Sequence, residues 1–189
     1  VTEKNLRPRF LGSQACKDCH AKEYEKWDDT AHRGAYESLV QEATFPSNRQ
    51  YDAECVVCHT VGFGYKSGFR DNDSGYINAD KSKHLFGVGC EDCHGAGSLH
   101  AKNPQDAQLR LAISPWKKNA NDHLTRQAIE TDKLTDNDPK KMAVSAAEKE
   151  VALKVYITCT KCHDVDNDHS YRLDKWLKIA HGNQWTRKK

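Results

Sequence analysis

All eight cysteines of this chain fall in four copies of one frame, Cys-x-x-Cys-His: Cys16, Cys19 and His20; Cys55, Cys58 and His59; Cys90, Cys93 and His94; Cys159, Cys162 and His163. None is left over. Cys-x-x-Cys by itself also fits a disulfide, a zinc knuckle or a redox dithiol. Those readings do not need a histidine straight after the second cysteine, and it is there four times. The full frame is the one used for covalent c-type heme. Two thiols three residues apart each form a thioether with one of the porphyrin's vinyl groups, and the next residue aims its imidazole at the iron. The expectation is therefore four heme c groups, with the eight cysteines as thioether donors and His20, His59, His94 and His163 as proximal iron ligands.

Four irons leave four distal positions, and six histidines are left to fill them: His32, His84, His100, His123, His169 and His181. Met142, the one methionine, reads as packing within a helix over 139–158, capped by Asp138 with Pro139 at its first position and Ala143, Ala147, Val151 and Val155 along one face. Most or all irons are thus expected to be bis-histidine, low-spin and closed. His32 stands at the end of a helical pattern over 21–40, carried by Tyr24, Trp27, Ala31, Ala35 and Leu39. His100 follows His94 too closely to reach the far face of heme 3 and is within reach of a neighbouring heme. His84 has a similarly short reach before Cys90. His181 closes a helix over 171–180 built on Trp176, Leu177 and Ile179 and ended by Gly182. These four are the distal candidates. His123 and His169 lie in polar and acidic surroundings and read as solvated, though either is an alternative to one of the four.

The elements that hold these ligands have little apolar material to work with. The 189 residues are 37% hydrophobic and 30% charged, with a mean hydropathy of -0.88. Disorder does not account for this: 29 Lys+Arg against 27 Asp+Glu, with 4 Trp, 7 Tyr and 5 Phe, lacks the high net charge of a disordered chain. No apolar run approaches the ~18 residues of a membrane span. A formal charge of +2 argues against a dedicated nucleic-acid binder. Roughly one heme per 47 residues explains the composition, because porphyrin faces supply the burial that Leu and Ile supply elsewhere. The expected fold is mainly α with extensive loop, a single domain over 1–189 wrapped around four stacked hemes with a minimal aliphatic core. The frames are spaced irregularly, with 35, 31 and 65 positions from each histidine to the next frame's first cysteine. Gly62, Gly64, Gly68 and Gly75 mark a turn-rich stretch, read as a hairpin packed by Tyr65, Phe69 and Tyr76.

The residues around the first three frames resemble a known family. Cys16-Lys-Asp-Cys-His-Ala-Lys-Glu-Tyr-Glu-Lys-Trp-Asp-Asp-Thr-Ala-His32, Cys55-Val-Val-Cys-His-Thr-Val-Gly-Phe-Gly-Tyr65 and Gly87-Val-Gly-Cys-Glu-Asp-Cys-His-Gly-Ala-Gly97 are similar to the tetraheme cytochrome c-554 family over residues 14–100. The resemblance implies alternating parallel and near-perpendicular heme pairs, with His32 and His100 at positions matching distal ligands. The chain departs from that pattern in its long third interval and in the extra histidine of its C-terminal region, His181. The family's nitrifier member lacks a distal ligand on its second heme. Here His84 or His181 is available to it, which argues against small-molecule chemistry there. Extracellular tetraheme cytochromes that polymerise into filaments are also similar in size and in their surplus of histidines.

The function expected from these residues is electron transfer with no catalytic residues, since nothing resembles a nucleophile–base pair. The leading form is a filament subunit carrying electrons toward external acceptors, with further copies of the chain as partners and one histidine supplied between subunits. The alternative is a soluble periplasmic carrier docking to a redox enzyme. A reductase of small nitrogen or sulfur oxides at a five-coordinate heme is the third reading. Thioether attachment takes place outside the cytoplasm, so the chain is expected to be periplasmic or extracellular, and its start at Val1 is read as the product of signal-peptide removal. Two propionates per heme turn the formal charge to about −2 when ferric and about −6 when reduced.

Overall fold

The computed structural model describes residues 7–41, 48–69, 80–117, 119 and 145–172. Among them the chain is helical or irregular, in the order α1 (Ala21–Asp28), α2 (Ala35–Gln41), α3 (Ala53–His59), α4 (Cys90–His94), α5 (Ser98–Lys102), α6 (Ala107–Ala112) and α7 (Ala146–Cys159), with short 3-10 turns at Ser13–Cys16, Arg49–Tyr51 and Lys83–Leu85. The contacts divide it into two compact units, Val1–Leu109 and Arg110–Lys189.

In the first unit the helices are short because polar residues end or begin them. The helix expected over 21–40 is broken at 29–34. The Thr30 hydroxyl donates to the Trp27 carbonyl at 2.7 Å, and the Trp27 indole N–H leaves the helix to donate to the Val88 carbonyl at 2.7 Å. The Thr30 bond occupies a carbonyl that helix continuation would use, and His32 sits in a turn. The Asp52 carboxylate accepts from the Glu54 N–H at 2.9 Å and starts α3. The Asp92 carboxylate reaches back to the Gly89 N–H at 2.7 Å at the start of α4.

The hairpin expected in the glycine-rich stretch after His59 falls partly on Gly75 and Tyr76, which lie outside the described residues. No strand occurs among the described residues; a single antiparallel bridge joins Thr60 to Phe86. Around it Val61 donates to the Leu85 carbonyl at 2.9 Å, Gly87 to His59 at 3.1 Å and Phe69 to Val61 at 2.8 Å. Phe69 is buried, Tyr65 is exposed and Tyr76 lies outside the described residues. The strand partner is thus distant in sequence.

That bridge lies against a small core of Tyr36, Leu39, Val56, Val61, Phe69 and Leu85, with Phe10, Phe63 and Phe86 packed on it. Tyr36 stacks on Phe86, centroids 3.8 Å apart, and both tilt against Phe69.

The second unit is organised by α7. Ser145 and Glu148 form a capping box: the Ser145 hydroxyl accepts from the Glu148 N–H at 3.3 Å, and the Glu148 carboxylate accepts from the Ser145 N–H at 2.8 Å. The helix therefore begins at Ala146, not at Pro139; Asp138, Pro139 and Met142 lie outside the described residues. Val151, Ala152 and Val155 form its buried face, with Tyr171 also buried. The helix expected over 171–180 lies outside the described residues beyond Arg172.

Candidate heme attachment sites

Frames 2 and 3 lie within helices, and frames 1 and 4 are turns that leave one. On α3, Cys55, Cys58 and His59 occupy positions i, i+3 and i+4 and share one face, as do Cys90, Cys93 and His94 on α4. Frame 1 continues out of the Ser13–Cys16 turn, with the His20 N–H bonded to the Cys16 carbonyl at 2.9 Å. Frame 4 continues out of α7, with the His163 N–H bonded to the Cys159 carbonyl at 3.0 Å. None of the eight cysteines is in a disulfide.

Two proximal histidines have the hydrogen bonding of a metal ligand. His59 donates from Nδ1 to the Ala35 carbonyl. His163 donates from Nδ1 to Asp168 Oδ2 at 2.8 Å. Occupying Nδ1 in this way fixes the tautomer and presents Nε2 as the coordinating nitrogen. His163 is further held by Tyr171, which stacks on its face at 4.9 Å and 19°.

Frame 1 has a second imidazole close to its own. The rings of His20 and His100 are 6.3 Å apart, centroid to centroid, and 35° from parallel. With metal–nitrogen bonds of about 2.0 Å, as for histidine on zinc, and roughly 1.1 Å from each nitrogen to its ring centre, two imidazoles on opposite sides of one ion stand about 6 Å apart. The pair fits a bis-histidine iron.

Residues that the sequence reading passed over make that pairing. The N-terminal segment leading into frame 1 is tied to α5 by Arg9, whose N–H donates to the Ser98 hydroxyl at 2.7 Å. It is tied to α4 by Glu91, a buried carboxylate that accepts from the Leu11 and Gly12 N–H groups at 2.8 Å each and from Gly97 at 2.7 Å. The Ser13 hydroxyl accepts from the Cys90 N–H at 3.1 Å. These bonds bring His100 on α5 next to frame 1, and set frames 1 and 3 side by side. The Cys16 thiol is hydrogen-bonded to Cys90, which pushes the Cys16 thiol up; the same bond brings that of Cys90 down to about 7. Burial raises Asp92 to about 7. Around frame 4, the hydrogen bond with His163 holds Asp168 below the usual carboxylate range, and burial raises the Cys159 thiol. Glu91 was visible only as a frame spacer, and Asp168 only as part of an acidic run.

The other distal candidates are less gathered. His32 is half-buried, and its carbonyl accepts from the Val88 N–H at 2.8 Å. His84 is exposed, its backbone against Gly12. His169 is exposed, as expected. His123 and His181 lie outside the described residues.

Comparison with known proteins bears on the same region. Residues 15–95, which contain frames 1 to 3, match the family described as "Cytochrome c554 and c-prime". The chain is 40% identical over 98 residues to cytochrome c-554 of Nitrosomonas europaea, a match that covers 47% of this chain and 39% of that protein. The chain thus spans about two fifths of the curated relative it matches. No solved structure matches it. No described helix is long and apolar enough to cross a membrane. The cofactors are c-type hemes, one to each of the four frames. The matched stretch, residues 15–95, carries the first three frames, and the fourth frame lies beyond it.

Proposed function

We propose that this chain is a tetraheme electron carrier acting outside the cytoplasm as one domain, which takes electrons from one redox protein and passes them to another. The bound hemes supply one-electron Fe(III)/Fe(II) exchange. The protein's part is to hold the axial ligands still, so that the change of charge moves few atoms. The observation that carries this reading is the pair His20 and His100 at 6.3 Å: an iron with an imidazole on each side has no open position for a substrate. His32, His84 and His181 are the distal candidates for the other three irons.

The similarity to cytochrome c-554 supports the soluble carrier over the filament subunit, and thioether attachment supports a periplasmic setting. The experiment is carbon monoxide binding to the reduced holoprotein, together with its ferric spin state. A carrier with closed irons gives a low-spin ferric spectrum and binds no carbon monoxide. A high-spin fraction with stoichiometric carbon monoxide binding and turnover of a nitrogen or sulfur oxide would replace this reading with the reductase.

A further inference from the structure

Frame 4 differs from frame 2 in what accepts the hydrogen bond from the frame histidine's Nδ1–H. His59 donates to a neutral backbone carbonyl, that of Ala35. His163 donates to a carboxylate oxygen, Asp168 Oδ2, at 2.8 Å.

The sequence after the frame is built to deliver that carboxylate. Asp164 opens a tight turn by accepting from the N–H groups of Asp166 at 3.1 Å and Asn167 at 2.8 Å. The Asp168 N–H then closes on the Asp164 carbonyl at 2.8 Å. The other Asp168 oxygen accepts from the Ser170 hydroxyl at 3.1 Å, which orients the carboxylate toward the imidazole. Tyr171 completes the loop and covers the ring face of His163. The two partners' side chains are only 28% and 21% exposed, so the charge acts with less than full solvent screening.

A carboxylate beside Nδ1–H draws the proton toward itself and makes Nε2 a stronger donor. A stronger donor and a nearby negative charge both favour ferric over ferrous iron. We propose that Asp168 is a positioning residue that makes the heme on frame 4 a stronger reductant than the heme on frame 2. The step it biases is Fe(III) plus one electron to Fe(II), in which no bond is made or broken and the His163–Asp168 proton stays in place. The inference rests on the electron-carrier reading and concerns the frame that the family match does not reach.

The test is a spectroelectrochemical titration of the heme-loaded protein, as wild type, Asp168→Asn and Asp168→Glu, with the heme count of each determined first. Asn keeps an oxygen acceptor and removes the charge. In the Asn variant one component of the titration becomes easier to reduce by at least tenfold, about 59 mV for one electron, and Glu restores it to near the wild-type value. A second neutral variant, Asp168→Ser, moves the same component in the same direction. Four bound hemes with every component unmoved in both neutral variants overturns the role of Asp168 and leaves the carrier reading standing. A wild-type protein with no heme on frame 4 overturns both.

Discussion

The imidazoles of His20 and His100 stand 6.3 Å apart, centroid to centroid, although they are 80 positions apart in the chain. One ends the first frame, and the other sits on α5 just after the third. The pairing makes His100 the distal ligand of heme 1 in the proposed carrier. Replacing His100 with Ala opens that iron: the ferric protein gains a high-spin signal, and the reduced protein binds about one carbon monoxide per chain. His169→Ala, at an exposed position, leaves both unchanged. An identical response from the two variants, read by electron paramagnetic resonance and optical titration, would break the assignment.

Glu91 is the tie that makes the pairing possible. Its carboxylate serves three backbone N–H groups from two segments. Glu91→Ala strands those donors, at about 1–3 kcal/mol for each one left buried and unsatisfied, so a loss of roughly 3 kcal/mol or more is expected in urea denaturation of the holoprotein. Glu91→Gln keeps two acceptor bonds at most on its oxygen and falls between. A loss below about 1 kcal/mol in the Ala variant would show that the tie carries little.

Gly87 and Gly64 separate backbone strain from crowding. Both have positive φ, 77° and 86°. A Cβ on Gly87 would lie 2.4 Å from the Arg33 carbonyl oxygen and 2.8 Å from that of His32, whereas one on Gly64 meets nothing within 4 Å. Gly64→Ala is expected to cost about 1–2 kcal/mol, the left-handed penalty alone. Gly87→Ala costs more and also displaces the His32 turn. Thermal melts of the two variants check the order, and equal melts contradict it.

The four frames and the count of surplus histidines were legible because covalent heme chemistry demands fixed local spacing. So was the buried face of α7, where Val151 and Val155 repeat at helical spacing. What stayed hidden depends on partners far along the chain. The break before His32 goes with the Thr30 hydroxyl taking the Trp27 carbonyl, and Thr60 finds Phe86, 26 positions on. Spacing kept His100 off the far face of heme 3 but left its neighbour open; the bonds of Arg9 and Glu91 bring it beside His20. Asp168 reads as one acid among several until the turn at Asp164 brings it to His163.

The apolar core of the first unit is small, and in the proposed carrier porphyrins would supply further burial. A chain with all eight cysteines changed to serine is expected to lose most of its helical circular dichroism and its protease resistance. Retention of the holoprotein's circular dichroism would show that the polypeptide folds without them.

Four electron-carrying hemes on one chain are counted by coulometric titration of the purified holoprotein. Four one-electron equivalents are expected to be taken up and returned per chain, one for each frame. Fewer than four reversible equivalents per chain would contradict this count.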